Sequence, residues 1–292
     1  MESFFVIALS FLPFIFVIVF IAISIKLREK KSRIPFDYAN MARVPAFTLL
    51  QQHKDSTVDL LVYSLLATLY FQLPFSIPTI ADLVGFESFK VSLPILITIF
   101  FIAAMYSIFR AIKAANIIRT SRLGIEAEWA VSHALSKIAD PKVRVFHDVQ
   151  ATNFNIDHVL TYPGGVIAIE TKGRRKPNIK NSKTTYKLTV EGNKIRFPKY
   201  IDTDSIEQAK RQADWLSKYL TKSTGMNVTT NPLVAIPGWY IEYKQKPIVT
   251  VMNHNSFPKH YRISNKPLLD DSSLERINHQ LEALTLRGTD LF

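Results

Sequence analysis

Asn155-Ile156-Asp157-His158-Val159-Leu160-Thr161-Tyr162, then Pro163-Gly164-Gly165, then Val166-Ile167-Ala168-Ile169-Glu170-Thr171-Lys172 is the stretch on which the fold turns. Two apolar, β-branched runs joined by a Pro-Gly-Gly turn read as an antiparallel hairpin. With Pro163 and Gly164 as the turn residues, Asp157 lies opposite Glu170; with Gly164 and Gly165 it lies opposite Lys172. Strand side chains alternate with period two, so Asp157, Glu170 and Lys172 share one face in either register, and a slip of one residue would scatter them. Two carboxylates and an ammonium gathered on apolar strands lose water and need partners, which makes chemistry a better reason for them than decoration.

Paired acidic side chains form a hard oxygen site of the kind Mg²⁺ prefers, with water and substrate phosphate completing the coordination. A metal there activates water and neutralises charge developing on a phosphodiester. Lys172, two residues beyond Glu170, is placed to orient that water or to stabilise the pentacovalent phosphate. The plainer alternative is an ion pair between Lys172 and Asp157 across the hairpin.

The order Asp, turn, Glu-x-Lys resembles the PD-(D/E)xK nuclease superfamily. Its flanks, Ile156-Asp157-His158-Val159 and Gly165-Val166-Ile167-Ala168-Ile169-Glu170-Thr171-Lys172-Gly173, resemble the nuclease-related domain, NERD, over about Leu123 to Ile263. The resemblance implies an α/β fold with a restriction-endonuclease-like mixed sheet flanked by helices. It implies phosphodiester hydrolysis with Mg²⁺ (or Mn²⁺) held by Asp157 and Glu170 and assisted by Lys172, and it calls for no organic cofactor. In Gly124-Ile125-Glu126-Ala127-Glu128, Glu128 resembles the family's first acidic residue, on the helix ahead of the catalytic strands. Ala127 replaces the usual Gly, which leaves Glu126 as a competitor. Gln208 resembles a glutamine on the following helix; Asp204-Ser205 replace the usual Asn-Pro, and Gln212 competes one turn later.

The chain has 292 residues, no cysteine and a net charge of +12, with an isoelectric point near 9.7. Disulfides and thiolate zinc sites are excluded, and the charge calls for a polyanion, either nucleic acid or an acidic membrane surface. Three apolar segments, 4–25, 60–80 and 91–109, read as transmembrane helices, the second broken by Pro74 and Pro78. Lys26, Arg28, Lys30, Lys31 and Arg33 follow the first segment, and Arg110, Lys113, Arg119 and Arg122 follow the third. The amino terminus is therefore expected outside and the carboxy-terminal part in the cytoplasm, at the cell (inner) membrane. The expected organisation is a membrane region at 1–118, a preceding anchor for the nuclease-related domain at 119–266, and a closing helix within 267–292. The connection Ile34 to Asp59 shows no chemistry.

From Lys172 to Lys199, ten Lys or Arg side chains stand against the single Glu191. The run begins beside the expected metal site, where a phosphate backbone would be gripped, so Arg174, Arg175, Lys176 and Lys180 are assigned to nucleic-acid contact. Further elements are a helix over Leu123 to Ile138 with Trp129 on its apolar side, and a strand over Val143 to Val149 whose end carries His147 and Asp148, either able to approach the site but read first as surface positions. A hairpin follows over Thr185 to Phe197, then a helix from an Asp204 N-cap to about Leu220, strands at Leu233–Tyr240 and Ile248–Asn253, and a helix over Asp271 to Leu286. Trp239 reads as packing, and His158 as pointing away from Asp157.

The expected function is a membrane-anchored, metal-dependent nuclease acting on DNA, in DNA processing or defence, in a form that admits homo-oligomers. The rival is an inactive nuclease-like module that binds nucleic acid or a protein at the membrane. A lipid-binding structural protein is the third reading.

Overall fold

The computed structural model describes residues 20, 23–24, 37–84, 92–177, 186–261 and 268–286. The first apolar segment lies outside them apart from Phe20, Ile23 and Ser24, and Lys180 lies outside them as well. The chain divides into two units, Met1–Asp37 with Lys54–Ile118, and Tyr38–His53 with Arg119–Phe292.

Two long helices, α1 (Phe47–Val84) and α2 (Leu93–Leu135), are long and apolar enough to cross a bilayer. Their most apolar stretches are largely exposed rather than packed into a core. Pro74 and Pro78 do not break α1; both sit inside it. A bilayer-length apolar helix tolerates proline because neighbouring groups take up the freed carbonyls. The third apolar segment, the basic stretch after it and the helix expected from Leu123 are one continuous α2.

The second unit is built on a five-stranded mixed sheet in the order β1-β2-β3-β7-β9. Its strands are β1 (Arg144–Gln150), β2 (Asn155–Tyr162), β3 (Gly165–Thr171), β7 (Thr230–Ala235) and β9 (Thr250–Met252). A smaller sheet, ordered β6-β5-β4-β8, comprises β4 (Lys187–Glu191), β5 (Lys194–Arg196), β6 (Ile201–Asp202) and β8 (Tyr240–Tyr243). The helices of this unit are the end of α2, α3 (Asp204–Thr224), the short α4 (Phe257–Tyr261) and α5 (Asp271–Leu284).

The β2–β3 turn resolves the register. Tyr162 pairs with Gly165 and His158 with Ile169, so Pro163 and Gly164 are the turn residues and Asp157 falls opposite Glu170. Gly165 has φ 134°, a conformation that other residues strain to adopt. Val159, Val166 and Ala168 face Ala213, Leu216 and Leu220 of α3 and Ile277 and Leu281 of α5. Leu160, Ile167 and Ile169 face Val131, Ala134 and Leu135 of α2 together with Phe257. The sheet is thus covered on both sides, as its continuous β-branched strands require. Trp129 departs from the expected apolar side: it is half exposed, and its indole N–H donates to the Pro45 carbonyl at 3.3 Å.

The start of α3 differs from expectation. Asp204 is the first helical residue rather than the cap, and the Thr203 side chain caps nothing. Asp202 does the work from β6, accepting from the Ser205 N–H at 3.0 Å and from its hydroxyl at 2.8 Å. Burial alone would raise the Asp202 carboxyl, but Arg174 at 2.8 Å and the Ser205 bonds hold it below the usual range. Asp202→Ala is expected to cost about 1–2 kcal/mol, read as a lower melting midpoint.

Candidate active site

β2 supplies Asp157, β3 supplies Glu170, and the chain continues from β3 to Lys172, whose N–H donates to the Ala235 carbonyl of β7 at 2.8 Å. Gly173 follows because α2 presses on this point. A Cβ there would stand 2.8 Å from the Leu123 carbonyl oxygen and 3.2 Å from the Ala127 Cβ. That close approach sets the α2 turn bearing Glu128 against the end of β3.

Glu170 is buried and fully engaged. Lys172 Nζ lies 2.6 Å from its Oε1, and the Gln212 amide donates to its Oε2 at 2.6 Å. Lys172 Nζ also donates to Gln208 Oε1 at 2.9 Å. The cross-hairpin pair of Lys172 with Asp157 does not form; Lys172 bonds along its own strand and to α3. Asp157 instead accepts from the Thr171 N–H at 2.6 Å through Oδ2. The competition between Gln208 and Gln212 ends in a division of labour. One turn apart on the same helix face, Gln208 holds the lysine and Gln212 holds the glutamate.

The electrostatics are those of surplus acid. Burial, with the nearby Glu170 and Glu128 charges, pushes the Asp157 carboxyl well above the usual carboxylate range; the Thr171 N–H and Lys172 oppose this. Burial, then Asp148 and Glu170, raise Glu128 to about 8, against the backbone N–H of Ala46 and Lys172. Glu128 Oε2 and Gln212 Oε1 are buried without a hydrogen-bond partner. In EDTA the melting midpoint is therefore expected to fall as pH rises from 4.5 to about 8. In that window the native carboxyl keeps a proton that the unfolded one has lost, a slope of at most about 1.4 kcal/mol per pH unit for one group. Glu128→Gln should flatten the slope in part, leaving the contribution of Asp157.

Asp148 is not a surface residue. It is fully buried at φ 49°, and Arg43 (2.7 Å), Thr48 (2.9 Å) and Asn155 (2.5 Å) all donate to it. Arg43 and Thr48 come from the connection in which the sequence displayed no chemistry. Residues 42–48 fold as a strap on the second unit. The Arg43 N–H donates to the Thr285 carbonyl at 2.8 Å, Pro45 receives the Trp129 indole, and the Ala46 N–H serves Glu128. Only Arg43 and Thr48 as isolated polar residues in an apolar neighbourhood could have signalled this.

His147 and His158 stand with Nδ1 atoms 2.8 Å apart on the sheet face away from Asp157. Burial lowers His147 to about 4, and burial together with His147 lowers His158 well below the usual range, which disfavours charge on either ring. Arg174 is committed to Asp202, Arg175 is exposed with a contact to the Arg119 carbonyl at 3.4 Å, and Lys176 lies over the Trp239 ring. Trp239 is fully buried, as packing requires. No group of three or more potential metal-ligating His, Cys, Asp or Glu side chains occurs among the described residues.

The second unit is thus a mixed α/β domain with Asp157 and Glu170 on adjacent strands, Lys172 two residues on and α3 supplying Gln208 and Gln212. Residues 123–237 match the family model described as Nuclease-related domain (NERD). No curated protein and no solved structure matches the chain.

Proposed function

We propose that this domain hydrolyses phosphodiester bonds of nucleic acid, in the first place DNA, with a divalent cation, at the cytoplasmic face of a membrane. The observation that carries this reading is the Asp157, Glu170 and Lys172 cluster, in which acid outnumbers the available cation.

Asp157, Glu170 and Glu128 share one ammonium, and the carboxylate oxygens of Asp157 and Glu170 are of the hard type that Mg²⁺ or Mn²⁺ prefers, with water and substrate phosphate left to complete the coordination. Asp157 and Glu170 would hold the ion, with the raised carboxyls of Asp157 and Glu128 marking the missing positive charge. Bound there, the ion would acidify a water and take up charge on the phosphate. Lys172, aligned by Glu170 and Gln208, donates from Nζ to the attacking water or a phosphate oxygen. Gln212 fixes the plane of the Glu170 carboxylate, as outer partners of ligands commonly do. Glu128, buried and able to keep a proton near neutral pH, serves as a proton-holding group beside the reacting centre. Arg175 and Lys176 take neighbouring phosphates, with Arg174 bracing the segment through Asp202.

Two apolar helices support a membrane address, and the basic residues Arg110, Lys113, Arg119 and Arg122 support a cytoplasmic side for the domain. That address suits DNA processing or defence against entering DNA. The test is cleavage of end-labelled single- and double-stranded DNA by the full chain in detergent with Mg²⁺, Mn²⁺ or EDTA. Metal-dependent cutting abolished by EDTA is the expected result. Tight, salt-sensitive binding without cutting would select the inactive binding module instead.

A further inference from the structure

The smaller sheet turns a row of side chains outward beside the basic segment, and the cleavage chemistry uses none of them. β4 and β8 pair in parallel with Lys187 opposite Tyr240. Leu188 and Val190 face the core, while Lys187 and Tyr240 share the outer face. Tyr186, just before β4, meets Tyr240 edge to face, with ring centroids 6.3 Å apart and planes at 78°. The Tyr240 N–H donates to the Tyr186 carbonyl at 3.0 Å, tying the two backbones together. Yet these rings are 42% and 55% exposed.

Single exposed tyrosines are ordinary on a protein surface. This pair is different in its mount. Trp239, the residue before Tyr240, is buried, packs edge to face on Phe197 at 5.0 Å, and donates its indole N–H to the Arg174 carbonyl at 3.0 Å. Lys176 Nζ stands 6.0 Å from the Trp239 ring centroid. The chain thus runs from Lys172 to Arg174, whose carbonyl receives the Trp239 indole, and Trp239 directly precedes Tyr240. The acidic side chains of this sheet are already neutralised. Glu242 pairs with Lys187 at 2.8 Å, and Glu191 with Lys244 at 3.0 Å and Arg196 at 3.4 Å.

An occupant that satisfies both features needs flat π faces and regularly spaced negative charge. Duplex DNA offers the charge but keeps its base faces inside the stack, whereas an unpaired strand offers both. We propose that Tyr186 and Tyr240 form a stacking ledge for unpaired bases, with Arg175 and Lys176 holding the phosphates of the same strand. The inference rests on the nuclease reading for where the strand leads, but the binding needs no metal and can be measured alone.

The test uses the full chain in detergent and EDTA, with fluorescein-labelled oligothymidine, the same strand with abasic sites, and a duplex of equal length. Wild type is expected to bind oligothymidine more tightly than the abasic strand. Tyr240→Ala and Tyr186→Ala should each weaken oligothymidine binding by roughly tenfold and leave duplex binding unchanged. Tyr240→Phe should keep the affinity and Tyr240→Leu, which retains apolar bulk without a π face, should lose it. Equal affinity for normal and abasic strands, or unchanged binding by the alanine variants, would overturn the ledge. So would loss of binding to anionic phosphatidylserine vesicles with oligothymidine binding intact, since the rings would then serve a membrane surface. Cleavage that persists while the base preference is missing removes the ledge alone; a base preference without metal-dependent cleavage removes the nuclease reading alone.

Discussion

Asp157→Asn is expected to abolish metal-dependent cleavage while making the metal-free protein more stable. The rate should fall on the order of 10²–10³-fold, the usual cost of deleting one preorganised group acting on developing charge. Stability should rise by about 0.5–2 kcal/mol, because Asp157 is a desolvated carboxyl facing Glu170 and Glu128 with one lysine among them. The amide removes the surplus charge yet can still accept from the Thr171 N–H. A cross-hairpin ion pair would predict the opposite stability change, so melting in EDTA separates a working site from a structural one. Lys172→Ala should match the loss of activity but not the gain in stability. It leaves the buried Glu170 with Gln212 alone, and a buried carboxylate stripped of its cation is costly. Cleavage retained by both variants would remove the assignment.

Arg43→Ala should strongly destabilise the second unit, costing about 3–5 kcal/mol. Its side chain and that of Asp148 are 8% and 1% exposed, and the pair spans 105 residues of sequence. Thr48 and Asn155 would remain on Asp148, but neither carries charge. The Arg43 guanidinium also lies over the Phe47 ring, 4.9 Å from its centroid, and donates from Nε to the Leu286 carbonyl at 3.3 Å. With its amide turned oxygen-first, Gln150 is a further acceptor. For a unit of this size the melting midpoint should drop by about 10 °C. Adding Asp148→Asn to Arg43→Ala should recover a large part of the loss, since the uncompensated charge is its main source. A fragment starting at Arg119 lacks the strap and is expected to behave like Arg43→Ala or worse. If that fragment melts with the full chain's second unit, the strap contributes little.

The hairpin, its register-independent face of Asp157, Glu170 and Lys172, the closing α5 helix and the buried role of Trp239 were determined by sequence alone. Each depends on period-two or period-3.6 patterning and turn chemistry acting within a dozen or so residues. The family match covers the hairpin and ends before Trp239 and α5. Tertiary structure alone decided which partner each polar group took. Lys172 met Glu170 and Gln208 rather than Asp157, Asp202 rather than Asp204 capped α3, and Asp148 turned inward to meet Arg43. None of these is written in a local pattern, because a buried charge is satisfied by whichever partner packing brings within hydrogen-bond reach. For Asp148 that partner came from a connection outside the matched family segment.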